Sequence, residues 1–365
     1  MKVSVFKRIG TAYVTIGKAF GIWFAPIISG KLILALRILI AIGMLIDWIL
    51  FPSVRRERAN NPIIIVGNPR SGTTFLHRFL VNNGIGAGSQ LWQLLYPSII
   101  IQKIIKPFLP ILEKISPTRH HSTVAHKTSL SSVETDDASI LFRFFDGFFL
   151  YGFILSWNDE DLMPWIDPKI RSTLKRDSKW LESVWRRTVI QSGEDRIIPK
   201  MFSISTNIPE FLKIFPDSHL LYMLRDPMSV IPSGLSLVTG VLDKRFGFWS
   251  LPKEKRQRYI DRLYKALIEL QIRFQDDWVN NRIDKKRLMI VKFDRMMTDF
   301  EGLMDEINNF IGHSPSDKLL ATIKETSEKQ RNFKSKHKYD LEKFGLTEEM
   351  IRKDCAPIYE TFFND

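Results

Sequence analysis

Apolar positions fall into three patterns along the chain of 365 residues. The first is continuous: from Leu32 to Phe51 the sequence reads LILALRILIAIGMLIDWILF, interrupted only by Arg37 and Asp47. A helix of that length matches the ~30 Å hydrocarbon core of a bilayer. Its Leu and Ile residues each gain about 0.3–0.6 kcal/mol at mid-membrane, against a cost of about 2.5–3.5 for each charge. Both charges lie near an end, where snorkelling lowers that cost. A spanning anchor, an interfacial helix and a buried core helix all stay open. The late start and the lack of a small-residue cleavage site argue against a secretory signal. Basic residues on both sides (Lys18 and Lys31; Arg55, Arg56 and Arg58) leave the orientation undetermined.

The second pattern is short and β-branched: Ile63–Val66 closed by Gly67, Arg196-Ile197-Ile198-Pro199, His219–Leu224 and Leu288–Val291. Runs of this kind read as buried parallel strands. The third pattern has helical spacing. It covers Thr74–Leu80, then Leu181, Val184, Trp185, Thr188 and Val189, then Ile260, Leu263, Tyr264, Leu267 and Ile268. Strands alternating with helices predict a parallel sheet with helices on both faces. The expected fold is α/β, a P-loop-like three-layer sandwich with a central parallel sheet and an N-terminal hydrophobic helix. Asn60-Asn61-Pro62 marks a break. The expected organisation is a membrane-associated segment over 1–60 and a catalytic domain over 61–365, with an aromatic-rich insertion at about 84–195.

Charge narrows the partners. Lys and Arg outnumber Asp and Glu by 53 to 40, a formal charge of +13. This suits an anionic partner such as a nucleotide or an acidic membrane surface. The basic residues are dispersed, which argues against nucleic acid. The single cysteine, Cys355, excludes an intramolecular disulfide and a cysteine-based zinc cluster. A reducing compartment, the cytoplasm, is expected. The aromatic stretch Phe142–Phe153 reads first as core packing, and otherwise as an apolar acceptor pocket or lipid contact.

The first strand leads into Gly67-Asn68-Pro69-Arg70-Ser71-Gly72-Thr73-Thr74, laid out as G-x-x-x-x-G-T-T. Glycines let the backbone approach a phosphate, and the helix N-terminus behind them adds positive potential. A triphosphate-binding loop places Lys after the second glycine; here that residue is Thr73. The loop therefore suits a donor with one 5′-phosphate. After the third strand comes Leu224-Arg225-Asp226-Pro227, with Ser233 two helical turns further on. In a parallel sheet that strand end opens on the same crevice. Arg225 and Ser233 are candidates for a second phosphate, Asp226-Pro227 starts the helix, and Lys200 follows the second strand.

At these residues the sequence resembles the PAPS-dependent sulfotransferases, in particular the branch holding bacterial and tyrosylprotein enzymes. Pro69–Thr74, PRSGTT, is similar to that family's 5′-phosphosulfate loop. Arg225 and Ser233 match its 3′-phosphate pair, and Lys200 with Phe215-Pro216-Asp217 and Arg225-Asp226-Pro227 matches its K…FPD…RDP pattern. The stretch His337–Leu346 resembles the branch's closing segment. The resemblance implies transfer of a sulfuryl group from 3′-phosphoadenosine 5′-phosphosulfate (PAPS) to a hydroxyl-type acceptor. That acceptor is expected to be a small molecule or lipid-like, and no metal is demanded. Arg70, Ser71, Gly72, Thr73 and Thr74 would hold the 5′ side, Arg225 and Ser233 the 3′-phosphate, and Lys200 the leaving oxygen.

The acceptor also needs a base. The tyrosylprotein branch carries a glutamate about twenty residues past the loop arginine, where this chain has Gln93. Candidates are Glu134, in an acid-rich segment, then His126, then His120 and His121. Two alternatives remain: a P-loop nucleotide kinase or NTPase, and a non-catalytic, membrane-associated protein that binds PAPS or its product. The sequence leaves oligomeric state open.

Overall fold

The computed structural model describes residues 1–56, 59–116, 128–332 and 340–363. Two compact units account for the chain. One comprises Met1–Ala59, Gly88–Asp195 and Leu237–Ala266, and the other Asn60–Ala87, Arg196–Ser236 and Leu267–Asp365.

The second unit holds the sheet. Strands β1 (Ile63–Gly67), β2 (His219–Leu224) and β3 (Leu288–Lys292) are parallel and lie in the order β1-β2-β3. Ile65 faces Leu221, and Leu221 faces Met289. Every β1 residue is buried, as expected of a parallel strand covered on both faces. Ile63 and Ile65 point with Leu221, Met223 and Val291 into a core that also takes Leu76, Leu80, Phe300 and Leu303. These come from helices Thr73–Asn82 and Phe300–Phe310. On the other face Tyr222 stacks on Phe274, with ring centroids 3.4 Å apart, and Phe274 stacks on Phe362. The α/β layering read from the sequence is the observed one.

Residues 196–199 depart from the sequence reading. They run beside β1, where Ile63 N–H donates to Ile197 O (3.0 Å) and Ile65 N–H to Pro199 O (2.9 Å). The pairing amounts to isolated bridges, Ile65 with Lys200 and Ala87 with Ile197, rather than a regular strand. Pro199 has no N–H to donate, which breaks a ladder and confines such a segment to an edge.

The first unit is mainly helical. Helices α1 (Val5–Phe20) and α2 (Phe24–Leu50) open it. Helix Leu174–Ser192 buries Leu181, Val184, Trp185, Thr188 and Val189, the face its periodicity marked. In the aromatic stretch, Leu150, Tyr151 and Gly152 are buried. Leu150 and Tyr151 join Leu155, Trp165 and Ala266 in one cluster, with Phe145 and Phe148 packed against it. Core packing accounts for these residues.

Within the sheet unit, His77 is fully buried, and its Nε2–H donates to Ile198 O (2.7 Å). Burial, followed by the charges of Lys200 and Arg78, pushes its pKa from 6.5 down to about 3. The folded state therefore keeps His77 neutral where the unfolded chain takes up a proton. Stability is complete above pH 6.5 and falls as pH drops toward 3, by about 1.4 kcal/mol per pH unit for this group. His77→Gln retains an N–H donor and removes the titration. Urea unfolding from pH 7 to pH 5 is expected to show that variant losing on the order of 2 kcal/mol less than the parent chain.

Candidate donor site

The C-terminal ends of parallel strands share one edge of a sheet. β1 ends at Gly67, β2 at Leu224 and β3 at Lys292, so the loops after them adjoin. The loop after β1 is tightly wound. Gly67 has φ 129°, Arg70 φ 79° and Gly72 φ 92°. A Cβ on Gly67 would come within 2.5 Å of Met223 O, and one on Gly72 within 2.5 Å of Met296. Both glycines are needed for backbone angle and for space. Arg70 holds a left-handed backbone with a full side chain, which costs about 1–2 kcal/mol. Strain of this kind concentrates at functional loops.

The turn is closed from inside. Both the Ser71 amide and its Oγ–H donate to Asn68 O, at 3.2 and 2.7 Å. Asn68 is itself anchored, with Nδ2 donating to Leu267 O (2.8 Å). The Ser71 hydroxyl thus shapes the loop, a role that its place in the sequence did not reveal. The amides of Thr73 and Thr74 stand in the first helical turn, where no intrahelical carbonyl meets them.

Three cations converge on this turn, each bonded to a neutral group. Arg70 Nε donates to Ser233 Oγ (3.0 Å). Arg225 Nη1 donates to Arg70 O (2.9 Å), and its guanidinium lies 3.9 Å over the Phe293 ring. Lys200 Nζ donates to Thr74 Oγ1 (3.1 Å). Lys200 is only 6% exposed. The structure therefore brings Arg70, Ser71, Gly72, Thr73, Thr74, Lys200, Arg225 and Ser233 together in one unit, with Arg70 linking Ser233 to Arg225. Asp226 starts the following helix as its sequence suggested, accepting from Met228 N–H (2.9 Å). Tyr359 O–H also donates to Asp226 (2.6 Å). Sequence reasoning missed the positioning residues Asn68, Phe293 and Tyr359. Their partners Leu267, Arg225 and Asp226 lie far away along the chain, so no local signal marks these contacts.

Of the base candidates, Glu134 alone is among the described residues. Glu134 belongs to the first unit, where it is buried; its amide donates to Ser89 O (3.1 Å) and its carboxylate accepts from Ser132 Oγ (3.1 Å). Gln93 is structural. Its Oε1 accepts from Gln90 N–H (2.8 Å) at the start of helix Leu91–Leu95, a capping-box bond. His126, His120, His121 and the segment His337–Tyr339 lie outside the described residues. Cys355 is buried, and burial followed by Asp354 and Asp226 pushes its thiol up to about 12, so it is unreactive. Among the described residues no group of three or more His, Cys, Asp or Glu is gathered to hold a metal.

Residues 62–317 match the profile described as the sulfotransferase family. No curated protein sequence matches the chain significantly. Among solved structures the fold is similar to that of sulfotransferase STF1 from Mycobacterium tuberculosis. The TM-score is 0.67 at 17% identity, over 96% of this chain and 91% of that one. It is also similar to sulfotransferase STF9 from Mycobacterium avium, with a TM-score of 0.64 at 20% identity, over 86% of this chain and 79% of that one.

The Arg70 backbone gives a test of the loop. Arg70→Gly and Arg70→Ala both remove the bond to Ser233, but only glycine relieves the left-handed strain. Chemical denaturation is expected to find Arg70→Gly more stable than Arg70→Ala by about 1 kcal/mol. Equal stabilities would mean that the turn relaxes without cost.

Proposed function

This chain belongs to the sulfotransferase family and is a PAPS-dependent sulfotransferase, and from that premise we propose which of its residues hold the donor and move the proton. PAPS supplies an activated sulfuryl group, whose transfer to an acceptor oxygen leaves adenosine 3′,5′-bisphosphate. The first-turn amides and hydroxyls of Thr73 and Thr74, with Arg70 and the backbone at Gly72, bind the 5′ side. Preorganised donors of this kind act most strongly where negative charge develops. Lys200, held at Thr74 Oγ1, places its ammonium group for the leaving oxygen. Arg225 and Ser233 bind the 3′-phosphate, the group that separates this donor from ordinary nucleotides. The single observation that carries this reading is the hydrogen-bonded chain Ser233–Arg70–Arg225 beside the β1 loop. The kinase or NTPase alternative is not favoured, since Thr73 stands where those enzymes place lysine.

For the acceptor proton we propose Glu134, a buried carboxylate whose geometry is fixed by Ser132 and Ser89. The acceptor we propose is a hydroxyl compound of hydrophobic or lipid-like character. Its motivation is α2, which among the described residues is the one unbroken helix long and apolar enough to cross a membrane.

Thermal shift decides the donor assignment. Adenosine 3′,5′-bisphosphate at a hundred times its Kd should stabilise the protein by about 2.7 kcal/mol. AMP, ADP and ATP should do much less at equal concentration. Arg225→Ala is expected to weaken bisphosphate binding about 10–100-fold, and Ser233→Ala less. An ATP preference unaffected by either change would overturn the assignment. Separately, Glu134→Gln should lower kcat for radiolabelled sulfate transfer about 10²–10⁴-fold while leaving bisphosphate binding intact. If kcat holds, Glu134 is not the base.

A further inference from the structure

Helix α2 has 27 residues, about 40 Å at 1.5 Å per residue, and so is long enough to cross a bilayer. What decides its topology is how each end is fastened. From Arg37 onward one stripe of the helix packs against the first unit. Arg37 Nε donates to Phe142 O (2.9 Å), Ile40 and Gly43 are buried, and a Cβ on Gly43 would meet Ile101 at 2.5 Å. Asp47 is fully buried in an ion pair with Arg187 (2.9 Å). Its carboxylate also takes the amides of Ile99 (2.9 Å) and Ile100 (3.1 Å).

The chain before α2 is fastened to the same body. Arg8 of α1 is buried, bonds to the carbonyls of Phe144 and Phe145, and pairs with Asp146. Asn158 Nδ2 donates to Thr15 Oγ1 (2.8 Å). Both flanks of α2 are therefore tied into one folded unit. A spanning α2 would carry α1 to the far side of the membrane from its own partners, leaving Arg8 and Asp146 apart, and a buried charge stripped of its partner is strongly destabilising.

Between these anchors, Phe24–Ala35 is almost wholly exposed, with no buried residue and only Pro26 partly covered. Leu32 is 67% exposed, Leu34 59% and Ile28 62%. Twelve residues of helix span about 18 Å, short of the ~30 Å hydrocarbon core. A single protein partner covers one stripe of a helix. Here only Ser29 and Lys31 are polar, and the remaining exposed side chains are apolar on every side. The long Lys31 chain can carry its ammonium group to a headgroup, so this sleeve fits a surrounding apolar solvent. The segment that Asp47 caps adds Ile104, Phe108, Ile111 and Ile115, all more than half exposed. Exposed Lys103, Lys106 and Lys114 lie among them, and ammonium groups beside an apolar face complement anionic headgroups.

We infer that this protein is monotopic: α2 and the segment 104–115 enter one leaflet of an anionic membrane, and α1 and the helical unit stay on the same side. This goes beyond the sulfotransferase reading and stands without it, since it rests on the first unit alone.

Two measurements on the full chain test it. Cysteines are introduced singly at exposed sites before and after α2, Gly10→Cys and Asp195→Cys, in a Cys355→Ala background. They are then probed in intact and permeabilised expressing cells with a membrane-impermeant maleimide. Both positions should label together, whichever side that is; labelling on opposite sides overturns the monotopic topology. In flotation with phosphatidylcholine vesicles, adding phosphatidylglycerol should strengthen binding, and high salt should reverse that gain. The double variant Leu34→Glu, Ile38→Glu should lose at least about tenfold in vesicle partitioning with an unchanged thermal transition. If that variant floats like the parent, or if it converts a vesicle-free dimer into a monomer, the exposed sleeve serves something other than lipid and the inference falls.

Discussion

The bond from Arg225 to the Arg70 carbonyl is the constraint around which the candidate donor site is arranged. It fixes the one non-glycine residue of the phosphate loop that holds a left-handed backbone. That conformation is costly in isolation and persists only where its surroundings determine it. The surroundings come from all three strand ends. β1 supplies the loop, β2 presents Arg225 immediately after Leu224, and β3 is followed by Phe293, which supports the Arg225 guanidinium. Arg70, once placed, reaches Ser233 on the helix that follows β2. Parallel pairing in fixed register is therefore what brings these separated sequence motifs to one edge of the sheet.

Much of this was legible because the relevant signals are local. A β-branched run closed by glycine and followed by helical spacing specifies strand, loop and helix within twenty residues, and Ile63–Asn82 forms as that pattern predicts. Arg225 was readable because the strand before it fixes which edge it reaches. Legibility failed where a residue's role depends on a distant partner. Pro199 was read inside a strand, but its missing N–H interrupts the ladder. Gln93 looked like a vacancy in a catalytic pattern, and it caps a helix. His77, inconspicuous in the sequence, became a buried neutral imidazole because Ile198 and Lys200, more than a hundred positions away, pack beside it.

The charges in the hydrophobic run show the same limit from the opposite direction. From composition alone, Arg37 and Asp47 count as penalties against insertion, eased by lying near the ends. In the fold they are attachment points. Asp47 meets Arg187, 140 positions away, and the start of a helix at Ile99. No spacing rule could have paired them. The consequence bears on how the protein is handled: deleting the N-terminal segment also removes buried attachments of the helical unit. It strands Arg187, whose Nε partner is Asp47, and takes Arg8 from the group around Asp146, which Arg171 and Arg176 also share.

Breaking a buried ion pair by removing one member costs about 3–5 kcal/mol, a large share of the 5–15 kcal/mol that a whole domain commonly has. A truncated chain that lost activity would therefore say little about membranes, because unfolding of the helical unit would give the same result. Substitutions on the exposed sleeve avoid this ambiguity: Leu34 and Ile38 are more than half exposed, so charging them alters what the surface can enter without touching Arg187 or Asp146. The proposed roles separate in the same way, because Arg225 and Ser233 belong to the sheet unit and Glu134 to the helical one. The residues proposed for donor binding, proton transfer and membrane entry are thus different ones, so each proposal can fail while the others hold.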